Sequence, residues 1–193
     1  LGLWDTVKSV FEIEVSPPRV SAVALPRTFD NDIVRIVRHA MAIDERRRFF
    51  RTNRWKQSPE AGQADVRQVW FAGSHSDVGG GYAEGAAGLS WYAFDWMVRE
   101  ACAYGLVVDQ GRLQAIKDKI ASQSPARDVV HDSLRSLWWP LEWFPRFHHA
   151  DTESSPRRFG IWPPPLGRSR RIDEGALVHR SVVVRKNSDI GYD

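Results

Sequence analysis

The chain predicts an α/β fold built on a parallel sheet, and three features carry that expectation. Val66-Arg67-Gln68-Val69-Trp70-Phe71 is a largely apolar run rich in strand-favouring residues. It empties into Ala72-Gly73-Ser74-His75-Ser76-Asp77-Val78-Gly79-Gly80-Gly81-Tyr82, a polar, glycine-rich loop. The segments up to Tyr104 read as strand, helix, strand, helix, an alternation that implies a parallel sheet flanked by helices. Ligands of open α/β sheets collect outside the carboxyl ends of the strands, which is where this loop falls.

The 193 residues suffice for one domain and one core. Apolar content of 42% and charged content of 26% are those of a soluble globular protein. The net charge of +3 is too small an excess to call for a nucleic-acid partner. Nine Trp and nine Phe are the unusual feature. Cys102 is the one cysteine, which excludes an internal disulfide and a cysteine-based metal cluster. No run of about 18 apolar residues is present to form a transmembrane helix, and no signal peptide is visible, so the compartment stays open. The chain starts at Leu1 inside an apparent strand, so a portion lacking the N-terminal part of its domain is expected.

Taken in order, Leu1 to Val7 reads as the end of a buried strand with Asp5 at its tip, either a turn or cap carboxylate or a reactive group. Ser16 to Pro18 breaks regular structure. Asn31 to Phe50 predicts a helix, because Ile33, Ile36, Val37, Ala40 and Met41 recur at the spacing of one helical face. His39 falls off that face, and Arg46-Arg47-Arg48 suits the negative end of the helix dipole. Arg51 to Asp65 is a polar loop into the Val66 strand.

Beyond the glycines, Leu89 to Tyr104 predicts a second helix, with Ser90 a candidate cap and Gly105 at C′. Gly111 to Ser122 and Ala126 to Leu137 read as further helices. Leu137-Trp138-Trp139-Pro140-Leu141-Glu142-Trp143-Phe144-Pro145 carries two prolines against a long helix. Its aromatic side chains either fill a core or form a patch for lipid or a partner. Arg146 to Arg171 is loop-like, with His148-His149 a weak metal pattern and a basic set, Arg157, Arg158, Arg168, Arg170 and Arg171, that reads as a solvated face. Ala176 to Val184 forms a last short strand or helix.

Asp5 and His75 each follow an apolar strand, in that order. In an α/β-hydrolase the triad runs Ser, acid, His, with the Ser on a Gly-x-Ser-x-Gly elbow. No such pentapeptide occurs here, so the Ser is expected before Leu1. His75 is then the general base and Asp5 the group that orients its ring. Asp77 is expected to shape the loop by accepting backbone N–H bonds, with Gly79, Gly80 and Gly81 folding around it. As a rival triad acid it lies too close to His75 in the chain. Ser74 and Ser76 sit in no elbow and are poor nucleophiles. A weaker idea uses His75, Asp77 and His39 as metal ligands. We assign no metal site and no cofactor.

The sequence resembles the α/β-hydrolase-like domain of type VI secretion phospholipase effectors and their bacterial and fungal relatives. The resemblance rests on Gly2-Leu3-Trp4-Asp5-Thr6-Val7, on Arg38 to Arg47, and most of all on Val69 to Tyr82 with its His-Ser-Asp-Val-Gly-Gly-Gly-Tyr string. Weaker echoes are Leu137-Trp138-Trp139 and Val178 to Val182. It implies an α/β-hydrolase core, a Ser-Asp-His triad with Asp5 as acid and His75 as base, and hydrolysis of glycerophospholipid esters. Residues 1–105 are expected to be the C-terminal part of that core, and 106–193 a helical, loop-rich and aromatic-rich extension or lid. The expected partners are a lipid ester substrate, a peripheral membrane contact, and the missing N-terminal part of the same domain. The alternative is a non-catalytic module that binds membrane or protein through the Trp138 to Phe147 stretch and the Arg157 to Arg171 tail.

Overall fold

The computed structural model describes residues 1–7, 11–15, 18–22, 31, 33–47, 49–56, 64–83, 87–123, 129–135, 138–142 and 167–187. In chain order the strands are β1 (Gly2–Trp4), β2 (Phe11–Val15), β3 (Pro18–Ala22), β4 (Ile36–Ala42), β5 (Asp65–Phe71) and β6 (Leu177–Val178). The helices are α1 (His75–Gly79), α2 (Ser90–Ala103), α3 (Gln110–Gln123), α4 (Trp138–Glu142) and α5 (Arg180–Asn187). Four strands form one sheet in the order β1-β4-β5-β6, and every neighbouring pair in it is parallel. The fold is α/β, as expected. All four carboxyl ends therefore lie on one rim, and Asp5 and His75 both follow strands that end there.

The connection from β1 to β4 carries an antiparallel hairpin, β2 with β3, and Pro18 opens its second strand. The helix expected over Asn31 to Phe50 is absent. Its middle is β4, one of the two inner strands, paired to β1 through Gly2↔Arg38 and to β5 through Ala42↔Phe71. The reason is physical. A parallel strand covered on both faces shows no period of two, and here the buried Arg38 and His39 interrupt the apolar run as well. Val37 to Ala42 are all buried. Ile33, which completed the helical spacing, lies outside the strand and is 81% exposed.

One face of the sheet packs against α1 and α2. Ala40, Ala42, Val69 and Phe71 meet Val78, Ala93, Trp96 and Met97 there, with Tyr92 at the margin. The small alanines of β4 let the helices approach closely, and Gly2 of β1 lies against Met97, whose Sδ is 3.0 Å from where a Cβ would stand. The opposite face carries His39, Gln68 and Trp70, covered by residues 49–56. Gln68 bonds both the backbone N–H and the C=O of Trp55.

α2 ends as the sequence predicts. Gly105 has φ +95, its N–H donates to Cys102 O, and that of Leu106 donates to Ala101 O. This is a Schellman stop. Ser90 is the first helical residue, not the cap, and its hydroxyl donates to Ala87 O. The helix expected over Ala126 to Leu137 is not formed in its described part, residues 129–135. Val129, one of its spacing residues, is 75% exposed. The aromatic stretch is a short helix from Trp138 to Glu142, whereas Trp143 to Phe147, His148-His149, Arg157 and Arg158 lie outside the described residues. No helix of the described residues is long and apolar enough to cross a membrane.

Candidate active site

β5 delivers the His75 loop. Gly73 turns the chain with φ +117, and a Cβ there would stand 2.4 Å from the Cβ of Asp77, so only glycine fits without displacement. Ser74 precedes the helix. Asp77 Oδ2 accepts its backbone N–H at 2.8 Å and its hydroxyl at 2.9 Å. The three glycines do not form one loop. Gly79 closes α1, and only Gly80 and Gly81, with φ +81 and +139, take left-handed backbone. Ser74 is fully buried and committed to Asp77.

β1 delivers Asp5 to the same rim. It has φ 41, a left-handed conformation that Asp tolerates better than most side chains. Its N–H donates to Ala40 O, and its Oδ1 accepts the N–H of Ala42 at 2.9 Å. The carboxylate is thus pinned to the end of β4 at both its backbone and its side chain.

Asp5 and His75 meet across that rim. Asp5 Oδ2 lies 2.7 Å from His75 Nδ1. A carboxylate accepts, so Nδ1 donates, which leaves Nε2 as the acceptor of a neutral ring. Nε2 has no hydrogen-bond partner among the described residues, and the His75 side chain is 28% exposed while that of Asp5 is 0%. The His75 N–H donates to Glu45 Oε2, and the Phe50 ring meets the imidazole edge-on at 5.1 Å between centroids.

The electrostatics favour an ionised Asp5. Burial pushes its carboxyl upward, but the His75 hydrogen bond, the Arg170 guanidinium and the Ala42 N–H outweigh burial and hold it below its ordinary value of 3.8. Arg170 bonds both Asp5 oxygens, Nη2 reaching Oδ2 at 3.0 Å and Nη1 bonding Oδ1. Its side chain is 10% exposed, so the reading of Arg170 as part of a solvated face is corrected.

Two further residues, Glu45 and His131, escaped the sequence reading. Glu45 is buried, and Oε1 accepts from Arg47 and Ser133. His131 pairs with Asp77. Trp138, from the aromatic stretch, stands edge-on to Phe50 at 5.3 Å, with the Arg47 guanidinium against both rings. That Trp therefore buttresses the ring beside His75, whereas Trp139 is 43% exposed.

His39 does not join His75 and Asp77. It is fully buried on β4, where Nε2 accepts from Thr6 and Nδ1 donates to Gln68 at 3.3 Å. Burial holds its pKa down at about 4. Among the described residues no group of three His, Cys, Asp or Glu side chains is placed to hold a metal ion. An open, mainly apolar cleft of about 330 Å³ lies between β1, α1 and α2, lined by Trp4, Val78, Gly79, Gly80, Trp91 and Phe94. It adjoins the residue before Asp5 and the far end of the helix that begins at His75.

Residues 1–100 match the model of the family described as "T6SS, Phospholipase effector Tle1-like, catalytic domain". The chain belongs to this family. No curated protein and no solved structure gives a match. The match takes in β1, β4, β5, α1 and most of α2, so both Asp5 and His75 lie within it, whereas Arg170 and His131 do not. Membership places the chain among phospholipase effector domains, whose substrate class is lipid.

Proposed function

We propose that this chain supplies the acid and the base of a serine ester hydrolase acting on glycerophospholipids. Asp5 is the acid and His75 the base. The nucleophilic Ser stands on a Gly-x-Ser-x-Gly elbow upstream of Leu1 in the same polypeptide. The observation that carries the reading is the 2.7 Å contact between Asp5 Oδ2 and His75 Nδ1, which leaves Nε2 without a hydrogen-bond partner among the described residues on a partly exposed ring.

The chemistry follows from that geometry. Nε2 takes the Ser proton as Oγ attacks the ester carbonyl carbon, and then gives it to the departing alcohol oxygen. Water, deprotonated by the same nitrogen, attacks the acyl carbonyl carbon, and Nε2 returns that proton to Ser Oγ as the fatty acid leaves. Asp5 stabilises the imidazolium that exists between those transfers. The apolar cleft beside Trp4 and Phe94 suits an acyl chain. Residues 1–105 serve as part of the hydrolase core and 106–193 as its extension.

The test is the His75→Ala variant of the polypeptide that carries the elbow, assayed on phospholipid vesicles. The expected kcat loss is about 10³-fold or more. A near-normal rate removes His75 from the reaction.

A further inference from the structure

We infer that Arg170 is a positioning residue, whose guanidinium locks Asp5 in the orientation that holds His75. The kinetic part of its test rests on the hydrolase reading above; the spectroscopic part does not.

The guanidinium makes four contacts with groups around the imidazole. Two are to the Asp5 oxygens, one is to Ala42 O at 2.9 Å, and one is to Phe50 O. Phe50 is the ring that meets His75, and Ala42 is the residue whose N–H holds Asp5 Oδ1. One planar fork therefore joins the carboxylate, the end of β4 and the aromatic neighbour. Arg suits this because its donors are fixed in a plane, whereas Lys offers a point charge on a flexible stem.

The segment bearing Arg170 is built to hold it there. Arg46 Nε donates to Gly167 O at 2.8 Å on one side, and Arg54 pairs with Asp173 on the other. Gly167 has φ +72, and a Cβ at that position would stand 2.6 Å from Leu134 Cδ2. The backbone thus turns tightly against Leu134 and delivers the side chain inward.

Charge explains what the clamp does. A fully buried carboxylate left without a cation is strongly disfavoured, and the usual relief is to take up a proton. A protonated Asp5 would no longer oblige His75 to donate from Nδ1. With Arg170 in place, the carboxylate stays ionised and in one rotamer whether or not His75 carries a second proton. The four Arg170 contacts leave Nε2 untouched, so its effect passes through Asp5.

The test reads the His75 Nδ1 proton by NMR in the chain itself, assigned by its absence in His75→Gln. A proton shared with a carboxylate gives a resolved downfield signal. In Arg170→Ala this signal is expected to disappear into exchange with water and to return on adding guanidinium ion. Arg170→Lys covers the case in which the Ala variant does not fold; its signal is expected to weaken and move upfield. In the polypeptide carrying the nucleophile, Arg170→Lys should lose about 10²-fold in kcat with KM unchanged. An unchanged signal in either folded variant overturns the inference. Absence of ester hydrolysis in the unmutated polypeptide overturns the hydrolase reading alone, because the proton signal still decides the role of Arg170.

Discussion

His131 donates its Nδ1–H to Asp77 Oδ1 at 2.6 Å and its backbone N–H to Oδ2 at 3.1 Å. Asp77 is 1% exposed and lies on α1, two residues after His75. The Tyr82 ring stacks on the His131 ring at 3.8 Å between centroids. The helix that carries His75 is thereby fastened to residues 129–135.

Removing that fastening has a defined cost. His131→Ala leaves Asp77 Oδ1 buried without its donor, which costs about 1–3 kcal/mol. For a chain of this size the melting temperature falls by roughly 2–4 °C per kcal/mol. Thermal unfolding followed by circular dichroism checks it, and an unchanged melting temperature refutes it.

The Gly73 backbone is equally exacting. Gly73→Ala combines a left-handed φ of +117 with a Cβ 2.4 Å from that of Asp77. The expected destabilisation is about 2–4 kcal/mol, because α1 must move to accept the methyl group. Urea unfolding measures it, and a loss under about 0.5 kcal/mol would refute the reading.

How much of this was legible beforehand differs by element, for physical reasons. β5 and the His75 loop were legible because an apolar run ends abruptly in polar and glycine residues. β4 was not, since a strand buried on both faces offers no alternation and its alanines imitate a helical stripe. His131 stood in a segment read as helical through Val129, Val130 and Leu134, and only Leu134 of these is buried in the core. Arg170 was illegible because its partner is 165 positions away in the chain and no local pattern encodes that contact.

The buried histidine of β4 sets an acid limit on stability. His39 has a pKa of about 4 in the fold and an ordinary value of 6.5. Between those values the unfolded chain binds a proton that the folded chain does not, so stability is lost as pH falls from 6.5 and levels off for this group below 4. The full contribution is roughly 3 kcal/mol. His179, also held at about 4 chiefly by burial, acts in the same window. Asp5 and Glu45, both held below their ordinary values, add losses only at lower pH, below 3.8 and 4.5 respectively. Unfolding free energies measured from pH 7.5 to 4 should fall steadily, and His39→Gln should flatten the slope. An unaltered slope in that variant refutes the assignment.

Asp5→Asn separates charge from shape, since Asn also accepts left-handed backbone. It leaves Arg170 buried beside a neutral amide and lets the imidazole adopt the wrong tautomer. We expect a loss of about 10³–10⁴-fold in kcat for the polypeptide with the nucleophile. The melting temperature should fall as well, because a buried guanidinium has lost its counter-ion. Ester hydrolysis within tenfold of the unmutated rate would refute the assignment of Asp5.

The span between Asp5 and Arg170 has a consequence for biosynthesis. At ordinary translation speeds, 165 residues take on the order of ten to thirty seconds to emerge. Throughout that interval the acidic group is already outside the ribosome and its guanidinium clamp is not. The buried carboxylate of Asp5 therefore gains its counter-ion only when Arg170, the far end of that stretch, has emerged.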